Sequence, residues 1–188
     1  MSKILYKKCE ISELIKYAQS GDIKALEELI KKVQKQVYAL FSHLTDNKSD
    51  VSDLTQEALL KMAKNIKQLN EISNFKQWLN KIITNTFYDY SKRKTDKLVD
   101  LDENELEKIK DKLGCEPGEK CLFSELEKLI KTALLTLPQH LRLSLILREY
   151  EGLSYEDISK ITNTTLGTVK SRISRARLKL QEQLKEFI

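Results

Sequence analysis

The sequence contains little proline, glycine or cysteine and no long apolar run, and each shortage argues against a class of protein. Two prolines and five glycines among 188 residues favour a nearly all-helical chain over a β architecture, which needs many turns. Three cysteines, and an N-terminus without the apolar core of a secretory signal, predict free thiols and a cytoplasmic location. No apolar run approaches the ~18 residues of a membrane span, so we expect no membrane insertion.

Side chains suited to catalysis or metal binding are also few and scattered. Cys115 and Cys121 have no histidine near them, and His43 and His140 lie far apart in the sequence. A zinc site needs ligands at closer spacing. Phosphoryl transfer needs clustered carboxylates for a metal, or a glycine-rich loop around the phosphate, and the sequence offers neither. We therefore predict that the protein is not an enzyme and has no catalytic residue, metal or cofactor.

Cations are present in excess, with a formal net charge of +5, and they are unevenly placed. Many lie in residues 148–180, which predict two helices joined by a tight turn. Ser154, followed three residues later by Asp157, is a capping-box signature for the first helix. Asn163 tolerates positive φ in the turn, and Thr164 or Thr165 can cap the second helix.

The second of these helices has two chemically different faces. Its apolar residues recur at spacings of three and four and predict a buried back: Leu166, Val169, Ile173, Ala176 and Leu180. The opposite front and its cationic flanks consist of Thr168, Ser171, Ser174 and Arg175, with Lys170, Arg172, Arg177 and Lys179 beside them. Such a helix suits the major groove, where the front meets base edges and the flanks meet phosphates. The alternative, a solvated bundle helix, does not require this turn and these caps, so we favour a helix-turn-helix.

In the N-terminal half, helical periodicity predicts helices over 10–19, 22–44, 53–69 and 74–94, with Ser49 or Asp50 as the N-cap of the third. Asp53, Gln56 and Glu57 cluster at the start of that third helix. The helix dipole alone favours acidic residues there. The same cluster could also be a docking edge for a basic partner, and periodicity does not decide between the two explanations.

The fourth predicted helix has one apolar face and a second stripe that mixes aromatic and cationic side chains. The second stripe contains Trp78, Lys81, Asn85, Tyr88 and Lys92. Bases can stack on the rings, the amide can bind a base edge and the lysines can follow the backbone, which is the chemistry of single-stranded nucleic-acid binding. In the simpler explanation Trp78 borders the core and the rest is solvated surface. The stripe alone leaves both explanations open.

Residues 96–121 are acidic and contain Gly114, Pro117 and Gly118, which predicts a flexible linker. It would join two small helical domains, 1–95 and 122–188. From Phe123 the helical period resumes, and Pro138 is expected as the first residue of the following helix.

The motifs of both halves resemble those of bacterial RNA polymerase sigma factors, of the extracytoplasmic-function (ECF) type of the sigma-70 family. The resemblance runs from about Gly21 to Leu184. Its C-terminal motifs are Leu137-Pro138, Leu147–Glu149, Gly152–Tyr155 and Gly167–Arg172. Its N-terminal motifs are Asp53–Ala58, Trp78–Asn85 and Asp89-Tyr90. It implies an all-α fold in which a sigma region 2 helical bundle (1–95) and a sigma region 4 helix-turn-helix (122–188) are joined by the acidic linker.

The resemblance also implies a function and a set of site residues. A sigma factor binds core RNA polymerase and directs initiation by recognising -35 duplex DNA and the melted -10 non-template strand. The implied -35 residues are Arg148, Tyr155, Thr168, Lys170, Ser171, Arg172, Ser174, Arg175 and Arg177. Of these, Arg148, Tyr155, Arg172 and Arg177 would hold phosphates. The implied -10 residues are Trp78, Lys81, Asn85, Tyr88, Lys92 and Arg93, with Asn85 at the position that binds a flipped base.

The implied partners are promoter DNA, core polymerase and an anti-sigma factor, through which the chain can be held at the membrane. The clamp helices of the largest polymerase subunit would contact Asp53, Leu54, Gln56, Glu57 and Ala58, and the flap of the second subunit would also bind. The chain departs from the family in residues 69–74, which lack glycine and arginine, and at Ser159, Asn163 and Ser174. The resemblance implies that the 69–74 loop helps to choose the -10 sequence and that Ser174 affects the -35 preference, whereas Ser159 and Asn163 should leave the fold intact.

A second hypothesis is a stand-alone helix-turn-helix regulator that binds an operator as a dimer. Such a protein needs neither the Trp78–Lys94 stripe nor a docking helix, so these two features favour the sigma factor.

Overall fold

The computed structural model describes the backbone of residues 6–98 and 119–185, and the side chains of 6–94 and 128–185. These residues form eight α-helices, three short 3-10 helices and no strand, which confirms the predicted all-α fold. The α-helices are α1 (Ile11–Gln19), α2 (Ile23–Leu44), α3 (Lys48–Asn65), α4 (Phe75–Leu98), α5 (Glu119–Thr136), α6 (Gln139–Glu149), α7 (Tyr155–Thr162) and α8 (Leu166–Leu184). The 3-10 helices are Tyr6–Lys8, Ile66–Gln68 and Ile72–Asn74.

Helix starts follow the capping residues, with two corrections to the sequence prediction. Asp22 caps α2 as expected, since its Oδ1 accepts hydrogen bonds from the Lys24 and Ala25 amides at 2.9 and 3.1 Å. The expected cap of α3 at Ser49 or Asp50 is wrong. Asn47 Oδ1 accepts from the Ser49 amide at 2.9 Å, so an equally good capping residue starts the helix earlier in the chain. Pro138 is the N-cap of α6 and not its first residue, with an extended ψ of 138°.

We call 6–98 the N-terminal unit. Its helices α1 to α4 pack around large apolar side chains that are almost wholly buried, among them Leu14, Ile15, Leu29, Phe41, Met62, Ile83 and Phe87. Gln19 Nε2 donates to the carbonyl oxygens of Ile66 and Leu69, at 3.0 and 2.7 Å. Gln19 is the last residue of α1, so these bonds hold the connection between α3 and α4 against the end of α1.

We call 119–185 the C-terminal unit. It buries α6 on all sides from Leu141 to Leu147, and one face each of α7 and α8, including Ile158, Val169 and Ile173. Arg142 is also buried, and its Nη1 donates to the Leu135 carbonyl at 2.9 Å, which joins α6 to α5. Between the units, residues 99–118 of the predicted linker lie outside the described residues.

The two units pack directly on each other. Helix α2 contacts α5 and α6, and α4 contacts α7, so the buried apolar residues form one cluster that spans both units. At this junction the rings of His43 and Tyr150 lie 4.1 Å apart between centroids. Burial and the nearby Lys131 ammonium lower the pKa of His43.

Candidate nucleic-acid interface

The turn between α7 and α8 has the geometry that its sequence predicts. Asn163 occupies the left-handed region at φ 51° and ψ 49°. Thr165 caps α8, because its Oγ1 accepts from the Thr168 amide at 3.2 Å. Ser154 caps α7 by accepting from the Asp157 amide at 3.0 Å, and its own hydroxyl donates to Asp157 Oδ2 at 2.7 Å. These local bonds fix α8 as the second helix of a helix-turn-helix.

Helix α8 separates its faces as the periodicity predicts. Val169, Ile173 and Ala176 are buried in the back of the helix, whereas the predicted back residues Leu166 and Leu180 are half-buried. The predicted DNA-facing side chains that are exposed are Lys170, Ser174, Arg175 and Arg177, while Thr168, Ser171 and Arg172 are half-buried. Arg175 Nη2 lies 3.3 Å from Ser171 Oγ, which keeps the guanidinium on the front of the helix.

Two of the predicted phosphate-binding arginines already have protein partners. Arg148 Nη1 donates to the Leu153 carbonyl at 2.8 Å, and its guanidinium lies 4.8 Å from the centre of the Tyr155 ring. Arg177 Nε lies 3.2 Å from Glu149 Oε1, and this carboxylate raises the pKa of Arg177. Each guanidinium carries five N–H donors in a planar fork, so both keep donors for a phosphate.

On α4, the polar and cationic side chains of the second stripe are exposed, as strand binding requires, whereas its aromatic side chains border the core. Lys81, Asn85, Lys92 and Arg93 are exposed. Trp78 is half-buried against the core, with its ring 6.1 Å from that of Phe75. Tyr88 is also half-buried. Burial raises its pKa, and the Arg172 guanidinium of α8 opposes that rise.

An ion-pair network joins α3 to α4 beside this stripe. Glu57 accepts from Lys61 at 2.9 Å and from Arg93 at 3.1 Å, and Lys61 lies 3.2 Å from Asp89. Burial raises the pKa of Glu57, but the bonds to Lys61 and Arg93 outweigh burial and hold that pKa below its usual value. Glu57 thus connects the predicted polymerase-docking segment to a predicted strand-binding residue.

The docking segment itself presents polar side chains. Asp53 and Gln56 are exposed, whereas Leu54 and Ala58 are buried in the bundle and cannot offer their side chains to a partner in this packing. Leu60, on the same helix, is 60% exposed and was not predicted as a site residue. Its signal in the sequence is a leucine that falls outside the buried stripe of α3.

Two kinds of feature are absent from the described part of the chain. No group of three or more His, Cys, Asp or Glu side chains there could hold a metal ion. None of the helices in those residues combines the length and the apolar character needed to cross a bilayer.

Comparisons with known proteins match both units. A family model described as Sigma-70 region 2 matches residues 29–96, and one described as Sigma-70, region 4 matches residues 127–180. The ECF RNA polymerase sigma-E factor of Escherichia coli K12 is 33% identical over 93% of this chain and 94% of its own length. That of Haemophilus influenzae is 32% identical over 93% of this chain and 95% of its own. The chain belongs to the ECF sigma factors.

Two solved structures have the same fold. The sigma factor RpoE in complex with the anti-sigma factor NepR, from Bartonella quintana, aligns with a TM-score of 0.69 at 30% identity. The alignment covers 87% of this sigma factor and 98% of that chain. CnrH, in complex with the cytosolic domain of CnrY, shares the fold with a TM-score of 0.65 at 19% identity, over 93% of this chain and 97% of its own.

The family confirms the function predicted from the motifs. As an ECF sigma factor, the protein acts in transcription initiation through core RNA polymerase and promoter DNA, and it has no catalysis of its own. The stand-alone regulator is not favoured, because the matches include region 2 as well as the helix-turn-helix.

Proposed function

We propose that the two units divide promoter recognition, with α8 in the major groove of the -35 element and α4 on the melted -10 non-template strand. The observation that carries this proposal is the pair of exposed polar faces. Ser174 and Arg175 project from the front of α8 and Lys170 from its flank, and Asn85 projects from α4 between exposed lysines. An arginine fork and a primary amide are the two side-chain groups best suited to bind base edges in a bidentate manner.

At the -35 element, the proposed roles separate into base contacts and phosphate contacts. Ser171, Ser174, Arg175 and Lys170 face the groove, with Thr168 at the capped N-terminus of the helix. Arg148, Tyr155, Arg172 and Arg177 hold phosphates. Because phosphate contacts release counterions, binding should weaken steeply with added salt.

At the -10 element, the proposed strand path follows α4. Asn85 captures one unpaired base, and Trp78 and Tyr88 offer ring faces for neighbouring bases. Lys81, Lys92 and Arg93 track the phosphates. The exposure of the amide and of all three cations supports this path.

The proposed polymerase contact is the exposed side of α3, on the clamp helices of the largest subunit. Asp53, Gln56 and Glu57 supply its polar part, and the exposed Leu60 adds apolar surface in the middle of the helix. The backbone around Leu54 and Ala58 lies behind this surface. We propose that the C-terminal unit engages the flap of the second subunit.

We also propose an anti-sigma partner and a cytoplasmic place of action. The relative RpoE was crystallised with the anti-sigma factor NepR, which supports a partner of this class. An anti-sigma factor anchored in a membrane would hold this chain at that membrane.

The test of promoter recognition is run-off transcription with purified core polymerase on a pool of the host's genomic fragments. We expect discrete new start sites when this chain is added, and two shared sequence elements upstream of them. Start sites that share only one element would contradict the division of recognition between α4 and α8. The absence of new transcripts would contradict the proposal as a whole.

A further inference from the structure

A buried carboxylate lies at the junction between the two units. Glu151 stands between α6 and α7, next to Gly152, whose φ of +64° turns the chain, and the Glu151 side chain is 6% exposed. The donors around its Oε2 atom all come from the N-terminal unit. Gln36 Nε2 of α2 donates at 2.8 Å, Asn80 Nδ2 of α4 at 3.2 Å, and Lys76 Nζ lies 3.9 Å away.

Such a carboxylate is stable only while its partners remain in place. A buried ionised group without hydrogen bonds or a counter-charge is strongly unfavourable. Asn80 is itself 2% exposed, and its Nδ2 donates both to the Lys76 carbonyl, at 3.0 Å, and to Glu151. The neighbouring residue, Tyr150, stacks on His43 of α2. Two consecutive residues of one short connection thus join the C-terminal unit to both α2 and α4.

This packing covers part of each proposed DNA-binding surface, while Asn85, Lys170 and Arg175 stay exposed. Tyr88 of α4 is half-buried and interacts with Arg172 of α8. A cleft of about 370 Å³ lies nearby, with Trp78 and Lys81 on one side and Asp157 and Lys160 on the other. A strand on α4 would need Trp78, Lys81 and Tyr88, and a duplex on α8 would need Arg172, so the packing competes with DNA.

We propose that Glu151 is a polar lock that holds the two units closed in the free protein and thereby blocks DNA binding. Core polymerase and promoter DNA open the lock by separating α4 from α7. The blocking part rests on the proposed function of α4 and α8 in binding DNA. The closing part rests only on the contacts of Glu151.

The opening variant is Gln36→Glu, which places a second carboxylate against Glu151. Gln36 is exposed on α2, so the substitution leaves the bundle core unchanged. The matched control is Gln34→Glu, which adds the same charge at an exposed position of the same helix. The rescue variant combines Gln36→Glu with Glu151→Gln, so that an amide again faces a carboxylate with the roles of the two residues exchanged.

Small-angle X-ray scattering of the full chain measures closure without any DNA. We expect a larger radius of gyration for Gln36→Glu than for the wild type, and wild-type values for Gln34→Glu and for the exchanged pair. Equal radii for Gln36→Glu and Gln34→Glu would overturn the lock. So would failure of the exchanged pair to restore the wild-type radius.

Fluorescence anisotropy then measures blocking, with a labelled 20-base-pair duplex of mixed sequence at low salt and no polymerase. Added negative charge by itself weakens DNA binding, so Gln34→Glu should bind no tighter than the wild type. Gln36→Glu should bind tighter, by up to about tenfold if the open form is about 10% populated in the wild type, because apparent affinity scales with the competent fraction. If Gln36→Glu has a larger radius of gyration but binds the duplex no tighter, Glu151 closes the protein but the closed form does not block DNA binding. A wild type that starts no transcription with core polymerase would contradict the proposed function and not the lock.

Discussion

Among single residues, Arg175 best separates base recognition from general attraction to DNA. Its guanidinium is exposed on the front of α8 and is held there by Ser171. We expect Arg175→Ala to cost on the order of 1–3 kcal/mol at a cognate -35 sequence and much less at a sequence substituted there. The measurement is holoenzyme binding to both sequences at one salt concentration.

The matched control for Arg175 is Lys179→Ala, an exposed cation on the flank of the same helix. Loss of a phosphate contact should weaken binding to all sequences alike. If Arg175→Ala behaves like Lys179→Ala, the arginine contributes only charge.

Arg93 tests whether an exposed ion pair serves stability or binding. Its pair with Glu57 is exposed on the Arg93 side, and exposed pairs contribute only about 0–1 kcal/mol to folding. We therefore expect Arg93→Ala to change the free energy of unfolding by less than about 1 kcal/mol. In holoenzyme binding to melted -10 strand, the same change should reduce the salt slope by about one.

Lys67→Ala is the control for Arg93, because it removes an exposed cation of the N-terminal unit outside the α4 stripe. It should leave the salt slope of strand binding unchanged. If the salt slope of strand binding drops equally in Arg93→Ala and Lys67→Ala, Arg93 makes no specific contact with the strand.

Among the helices, α3 shows how one capping residue sets the start of a docking surface. Asn47 accepts the Ser49 amide, whereas Ser49, the residue expected from sequence, lies inside the helix. We expect Asn47→Ala to lower the free energy of unfolding by about 1 kcal/mol, since an N-cap side chain is lost. Ser49→Ala should have little effect or stabilise slightly, because alanine favours the helix interior. Denaturant titration checks both, and the reverse order would contradict the capping geometry.

For the whole molecule, the junction between the units predicts a pH dependence. The pKa of His43 is lowered by burial and by Lys131, and the stacked partner is Tyr150. Folding therefore favours the neutral imidazole. Its contribution is fully present above the unfolded pKa of about 6.5 and is lost as the pH falls through the lowered folded pKa. We expect the free energy of unfolding to decrease as the pH is lowered from 7.5 to 5.5.

His140 must be separated from His43 in that experiment, because burial and Arg172, Arg175 and Lys179 lower its pKa as well. His43→Gln should remove the contribution of His43 to the pH dependence of the free energy of unfolding. His140→Gln should keep that contribution. Denaturation at several pH values measures it. If the free energy of unfolding of His43→Gln depends on pH as that of the wild type does, protonation of His43 does not destabilise the junction.

Local interactions explain why much of the C-terminal unit was predictable. Ser154 and Thr165 accept hydrogen bonds from amides three residues further on, and Asn163 adopts a positive φ. These roles involve only residues close in the sequence, so the local sequence predicts them. The buried back of α8 follows from helical period alone. The start of α3 was missed because Asn47, Ser49 and Asp50 are all good capping residues, and propensity does not rank residues that are so nearly equal.

The sequence by itself determined the helices apart from the start of α3, the cap of α7 and the family to which the motifs belong. Only the tertiary structure decided that Glu151 is buried. Its partners Gln36 and Asn80 lie 115 and 71 residues away in the chain. In the sequence, a glutamate before a glycine indicates no more than a solvated turn. The effect of Arg172 on the pKa of Tyr88 was likewise decided by packing. The periodicity of each helix shows which residues share a face, but it does not show what that face lies against.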